Sequence, residues 1–246
     1  MLSNVILYEG PSALPNQHST NITVVMTGID RPSANIKTGP VAQVWILVTD
    51  ASPIDAERNG DSKAICGDCP LQGNGCYVRH IHGTNPVWKA LPKTPKLQNL
   101  SAKEHKEIVL RLRSMHIRLG AYGDPVAAPL ESYRICLDNN HGITGYTHQW
   151  RTAHDDWKNI CMASVETLDD AQQAQRMGWR TYRVRATPEA PVLPNEAVCP
   201  YETIKLRCID CKACNGHQGR QITTGIVATA HGSQRKKFLI HCEPKK

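Results

Sequence analysis

The sequence predicts an α/β fold, a partial or complete (β/α) barrel of parallel strands with a Cys-rich metal-binding loop and a C-terminal Cys-rich metal-binding segment. Three observations predict it. Strand-like and helix-like segments alternate from residue 101 to 200, and β-then-α units of this length imply parallel strands joined by right-handed crossovers. The run 41–49, VAQVWILVT, is almost continuously apolar, as a strand buried on both faces should be. Seven of the ten cysteines fall in two tight clusters, whereas thiols placed for packing alone would scatter.

Along the chain, runs 4–8 and 21–26 read as short strands separated by a Pro/Ser/Asn loop, and residues 1–35 form an N-terminal β segment. Residues 36–200 form the barrel-like domain, which opens on the strand at 41–49 and carries the Cys-rich loop 64–83. The Pro- and Lys-rich stretch 84–100 is surface connection. Ser101 with Glu104 is a capping box, each satisfying an orphan donor of the other, for a helix reaching about Met115. A strand at 116–122 ends in Gly123-Asp124-Pro125. There follow a helix at 130–139, a strand at 143–148, a turn near 155–158 and a strand at 160–165. Thr167 caps a helix at 168–177 that Gly178 stops. Strands at 179–186 and 197–200 complete the alternation, and residues 201–246 form a Cys-rich segment with a strand at 222–230 and a basic tail.

At 246 residues the chain can bury one sizeable core. Its 29 Lys and Arg against 22 Asp and Glu give a net charge of +7, which favours a polyanionic partner such as nucleic acid. Cationic residues gather at Arg111, Arg113 and Arg118, and again from Arg235 through Lys237 to Lys245 and Lys246. No apolar run approaches the roughly 18 residues of a membrane span. The first residues lack the basic start and apolar core of a secretory signal, so the expected compartment is cytoplasmic and reducing, where thiols bind metals more often than they pair.

Three strand ends carry polar residues directly after an apolar run: Asp124; Tyr146, His148, Gln149 and Arg151; and Glu166. On parallel neighbours these converge on one mouth, since function gathers at the carboxyl ends of such strands. Asp124, His148 and Glu166 are the catalytic candidates. Tyr146, Gln149 and Arg151 are the substrate-binding candidates, Arg151 gripping a phosphate.

The first cluster is Cys66-x2-Cys69-x6-Cys76, and the second is Cys199-x8-Cys208-x2-Cys211-x2-Cys214. A two-residue gap lets both sulfurs face one ion. The first set has His80, His82 or a distant cysteine to complete it. The second has Cys199 or His241, which lies 27 residues beyond Cys214, with His217, His231 and Cys242 as rivals. Zinc is the expected metal and a [4Fe–4S] cluster the alternative, because three thiols at two-residue spacing are also ferredoxin-like. Cys136 and Cys161 read as ordinary buried thiols.

The stretches Asn35-Ile-Lys37-Thr-Gly39, Gly75-Cys76-Tyr77, the strand from His116 to Gly123-Asp124, and Gly145-Tyr146-Thr147 resemble the gene-88-like proteins of tailed bacteriophages. The likeness spans roughly residues 33–215 and implies a phage protein acting in the host cytoplasm. More remotely, Cys208, Cys211, Cys214 and His241 look like the zinc site of queuine-type tRNA transglycosylases and the phage DNA deazaguanine transglycosylases, which are (β/α) barrels. That resemblance implies base exchange in DNA, ahead of tRNA, with Asp124 as nucleophile and a small-molecule base as second substrate. The cysteine loop after the strand at 41–49 is similar in placement to that of radical-SAM enzymes, partial (β/α) barrels with a cluster in a loop after the first strand, although their usual Cys spacing differs. The family's usual cofactor motif is also absent from the sequence, unless Gly123-Asp124-Pro125 stands in for it. A metal-containing nucleic-acid enzyme, most simply a transglycosylase, is thus the leading expectation. An iron–sulfur radical enzyme and a non-catalytic zinc-stabilised nucleic-acid-binding protein are the alternatives.

Overall fold

The computed structural model describes residues 2–78, 83–218, 220, 223–232 and 234–242, without the side chains of His241 and Cys242. The candidate ligands His80 and His82, and the side chains of His241 and Cys242, lie outside the described residues.

β1 (Asn4–Pro11) pairs antiparallel with β2 (Asn21–Thr27), and β2 antiparallel with β3 (Ala42–Val48). From β3 onward every pairing is parallel. β3 pairs with β4 (His116–Tyr122), and β4 with β5 (Gly142–Thr144). β6 (Tyr146–Thr147) pairs with β7 (Met162–Val165), and β7 with β8 (Thr181–Arg185). β9 (Glu196–Val198) lies outside β10 (Gly225–Thr229), which inserts between it and β8. The described strands thus form two five-stranded sheets, β1-β2-β3-β4-β5 and β6-β7-β8-β10-β9.

Only Gly145 separates β5 from β6, so one stretch of chain ends the first sheet and begins the second. A Cβ at Gly145 would lie 2.7 Å from the Cys161 sulfur, so a larger residue would push the chain off its neighbour. The strand expected at 143–148 is therefore broken at its middle. From β3 to β8 the strands neighbour one another in chain order, as right-handed crossovers dictate. Barrel closure is not among the pairings of the described residues. The edge of β3 that a closing strand would need is taken by β2.

α1 (Pro53–Asn59) and α2 (Lys63–Cys66) follow β3, and α3 (Asn85–Ala90) and α4 (Ala102–Leu112) lead to β4. α4 has the expected capping box: the Glu104 N–H donates to Ser101 Oγ, and the Ser101 N–H to Glu104 Oε2 at 2.9 Å. The segment expected as one helix at 130–139 begins with a 3₁₀ turn at Leu130–Tyr133 and becomes α5 (Arg134–Asp138). α6 (Leu168–Arg176) is capped by Thr167, and Gly178 follows it at φ +84°. α7 (Pro200–Ile204) and α8 (Cys208–Cys211) lie between β9 and β10, and α9 (Arg235–Cys242) follows β10.

Val44, Ile46 and Leu47 of β3 are all fully buried. Because neighbouring residues of a strand face opposite sides, β3 is covered on both faces, as its sequence required. Each such side chain contributes about 1.5–3 kcal/mol by leaving water. In the second sheet, Arg183 and Glu196 form a buried bidentate pair at 2.8 and 2.7 Å that ties β8 to β9 across β10. Arg180 donates to the carbonyls of Ala213, Asn215 and Thr224 at 2.9, 2.7 and 3.0 Å, and so fixes the loop that follows Cys214.

Candidate metal centres

The first thiol set is built by turns. α2 ends at Cys66, Gly67 adopts φ +53°, and the N–H groups of Cys69 and Cys76 donate to the carbonyls of Cys66 and Leu71. A Cβ at Gly67 would meet the Gln149 side-chain amide at about 2.6 Å. That amide donates to the Cys66 carbonyl at 3.0 Å, and the Asp124 N–H donates to the Ile65 carbonyl at 2.6 Å. Cys69 and Cys76 pack with Leu71, Val184, Ala230 and Phe238. The loop therefore rests over the carboxyl ends of β4, β6, β8 and β10.

Burial pushes the Cys66 thiol well up, and the nearby Cys69 and Cys76 push it further. Cys76 is raised by burial too, with Cys69 adding to the rise and His148 opposing it. Each of these thiols thus feels the charge of its neighbours, and Cys76 that of His148. Burial works against protonation of His148, but a hydrogen bond with Cys69 and the Glu166 carboxylate outweigh it and raise its pKa. Nε2 of His148 lies 2.9 Å from Glu166 Oε1.

Asp124 sits at this mouth, buried, with both carboxylate oxygens hydrogen-bonded. Oδ1 accepts from the Val126 N–H at 3.0 Å, while Oδ2 accepts from Thr147 Oγ1 at 3.0 Å and the His148 N–H at 2.8 Å. Burial raises its pKa, and these donors and His148 pull against that rise. Such a carboxylate joins β4 to β6 and fixes the His148 backbone. Arg151 pairs with Asp170 and lies 3.9 Å over the Trp150 ring. Asp124, His148, Glu166 and Gln149 therefore meet at the first thiol set, while Arg151 is held by other partners.

Tyr146 belongs to the second set. Its ring lies 4.5 Å from that of Tyr182, and it packs against the cluster that also holds Cys199 and Cys214. Cys199 follows β9 and precedes Pro200, Cys208 and Cys211 lie on α8, and Lys212 at φ +53° turns the chain toward Cys214. Cys199 and Cys214 share an apolar cluster with Met162, Ile226, Tyr182 and Tyr201. Burial pushes Cys214 up to about 12, with Tyr146 opposing and the other three thiols adding to the rise. Burial also raises Cys208, against which Lys37 and Arg118 act.

The stretch from Asn35 to Gly39 braces this set. The Asn35 side chain accepts from the N–H groups of Lys37 and Thr38, whose carbonyls accept from Cys208 and Ile209 at 3.0 and 3.1 Å. His217 and His231, rival ligands on sequence, bond instead to the carbonyls of Gly178 and Thr229. Cys136 and Cys161 are buried, as expected of packing thiols.

Both sets are gathered rather than closed: among the described residues, no three or more His, Cys, Asp or Glu side chains are arranged to hold an ion as they stand. Donor chemistry nevertheless suits soft metals, with three thiols and an imidazole at one set and four thiols at the other. Sequence reasoning missed the bracing roles of Lys37, Gln149 and Arg180, and the approach of Arg118 to Tyr77, whose ring lies 5.6 Å from the guanidinium. For Arg118 a signal existed, a lone cation inside an otherwise apolar strand. Comparison with family models, curated proteins and solved structures finds no match to this chain.

Proposed function

We propose that the protein is an iron–sulfur enzyme of the radical type, with a [4Fe–4S] cluster on Cys66, Cys69 and Cys76 and one iron left without a protein thiolate. The observation that carries this reading is the place of the three thiols. They lie in the loop after β3, the first of the parallel strands, and over the carboxyl ends of the strands that follow, where parallel α/β folds bind ligands. When bound, such a cluster supplies one electron for cleaving a carbon–sulfur bond of a sulfonium cosubstrate of the S-adenosylmethionine class.

The chain's own residues do the rest. Gln149 and the Asp124 backbone hold the Cys66 turn, Asp124 fixes the end of β4 against β6, and Glu166 orients His148 to hold or pass a proton at the mouth. The net charge of +7 keeps nucleic acid as the substrate class, in the setting of a phage-infected cytoplasm. Base exchange with Asp124 as nucleophile is the weaker reading, because three hydrogen bonds already occupy that carboxylate.

A zinc site is the second reading, favoured by His148. A metal-bound histidine characteristically has a carboxylate as its outer-shell partner, and the His148 imidazole has Glu166 in that role, with Nε2 2.9 Å from Oε1. Metal analysis of anaerobically purified protein separates the two. Iron and sulfide with visible absorption, retained in His148→Ala while turnover falls, support the open cluster. A colourless protein whose stoichiometric zinc is lost in His148→Ala overturns it.

A further inference from the structure

We infer that Arg118 and Tyr77 form a nucleotide-binding site, in which the guanidinium takes a phosphate and the phenol ring stacks a base. The inference rests on the reading above for its nucleic-acid substrate class alone, and it needs no metal at either thiol set.

The first argument is the strand face. Arg118 lies on β4 between Ile117 and Leu119, which are fully buried in the main core together with Ala121. Alternation along a strand therefore puts Arg118 on the opposite face. Later strands continue that division. Ala163 and Val165 of β7 join the main core, whereas Tyr146, Met162 and Tyr182 pack in a separate cluster. Arg118, Tyr146 and Tyr182 are each only half-buried. The face away from the main core thus carries a cation and tyrosines that water reaches.

The second argument is the pairing of the cation. A guanidinium withdrawn from water to hold a fold is paired with a carboxylate, as Arg183 is with Glu196. Arg118 instead donates to the Tyr77 hydroxyl, and among the described residues no carboxylate pairs with it. A guanidinium has five N–H donors in a planar fork, which suits two oxygens of one phosphate.

The third is the presentation of Tyr77. Its side chain is exposed, yet its ring lies 5.6 Å from the Arg118 guanidinium. The turn before it is fixed: Gly75 has φ +131°, and a Cβ there would meet the Phe238 backbone nitrogen at 2.8 Å. A held, exposed ring beside a cation is the pair of contacts that a base and its phosphate require.

The test is binding of a fluorescent oligothymidylate by the full chain as purified, measured across a range of salt. Arg118→Gln should weaken binding about tenfold or more and lower the salt slope by about 0.7. Arg118→Lys, which keeps the charge, should keep the slope. Tyr77→Ala should weaken binding about fivefold or more with the slope unchanged. Competition by thymidine monophosphate supports a site for a free nucleotide, and its failure beside these losses supports one for a strand. Arg118→Gln that binds as the parent does overturns the inference while leaving nucleic acid as the substrate class. Equal losses in Arg118→Gln and Arg118→Lys overturn it too, since a structural guanidinium accounts for both. Should Arg118→Gln fail to fold, the exposed Tyr77 decides, and unchanged affinity in Tyr77→Ala overturns the site. A parent that binds neither probe also overturns it, whereas metal analysis alone decides the iron–sulfur reading.

Discussion

The two thiol sets sit differently on the parallel strands. The first lies over the carboxyl ends, in contact with Asp124, His148 and Gln149. In the second, Lys212 reaches His141 at the start of β5, α8 rests on the Lys37–Thr38 carbonyls before β3, and Cys199 follows the end of β9. The mouth combines three thiols with polar groups that can move protons. In the second set, Cys199 and Cys214 pack among aromatic and apolar side chains. In parallel α/β folds the first kind of place does chemistry and the second holds the structure.

The largest effect should come from breaking each set in turn. Cys69→Ala should reduce turnover to background while moving the melting temperature little. On the reading that the second set holds a metal, Cys211→Ala should do the reverse in emphasis, lowering the melting temperature sharply, because site-binding energy is folding energy where a metal joins separate segments. Thermal denaturation and activity on the same preparations test this. If both variants lose stability equally and neither is selectively inactive, the division between the two sets is wrong.

Next in size is a pH effect outside the mouth. His116 opens β4 and is buried with Nε2 2.6 Å from Thr144 Oγ1 and, among the described residues, no partner at Nδ1. Burial, then Lys212 and His141, lower its pKa to about 4 from 6.5. The unfolded chain therefore binds a proton that the folded one refuses. Stability from this group is complete above pH 6.5 and falls as pH drops toward 4, by up to about 3 kcal/mol at 1.36 kcal/mol per unit. Denaturant titrations across that window should show the slope, and His116→Gln should flatten it. A slope that survives the substitution would assign it elsewhere.

What could be read from the chain follows from range. The strands at 41–49 and 116–122, the capping box at Ser101 and the stop at Gly178 were legible because their signals are local: apolar runs, a cap, a glycine. The insertion of β10 between β8 and β9 was not, since pairing is decided by burial across some 40 residues of chain. The break at Gly145 depends on the approach of Cys161, which no local pattern announces. At the sites, spacing proposed thiol ligands, but among the described residues no three or more His, Cys, Asp or Glu side chains are arranged to hold an ion. Spacing also could not show that His217 and His231 bond to backbone carbonyls, or that hydrogen bonds reach both oxygens of the Asp124 carboxylate. Those outcomes depend on which buried partners happen to be near.

Asp124→Asn sharpens the comparison at the mouth. An amide presents one acceptor where the carboxylate has two, so one of its three donors is left unpaired, at a cost of about 1–3 kcal/mol. A positioning role predicts that stability and turnover fall together, and that iron content at the first site drops as the Cys66 turn loosens. A nucleophilic role predicts turnover abolished far beyond what the same loss of stability explains, with metal content unchanged, and that outcome would restore base exchange.

The smallest effect should belong to Arg151. It was expected to grip a phosphate, yet it pairs with Asp170 and stacks on Trp150 with its side chain about half exposed. An exposed pair of this kind contributes about 0.2–1 kcal/mol, so Arg151→Ala should lower stability by no more than that. Its effect on DNA binding decides its role, because removing a cation that neutralises a phosphate reduces the salt dependence of affinity by about one unit of slope. We expect the slope to be unchanged. A slope reduced by one, with stability unaltered, would mean that Arg151 leaves Asp170 for a phosphate and that the mouth reads nucleic acid directly.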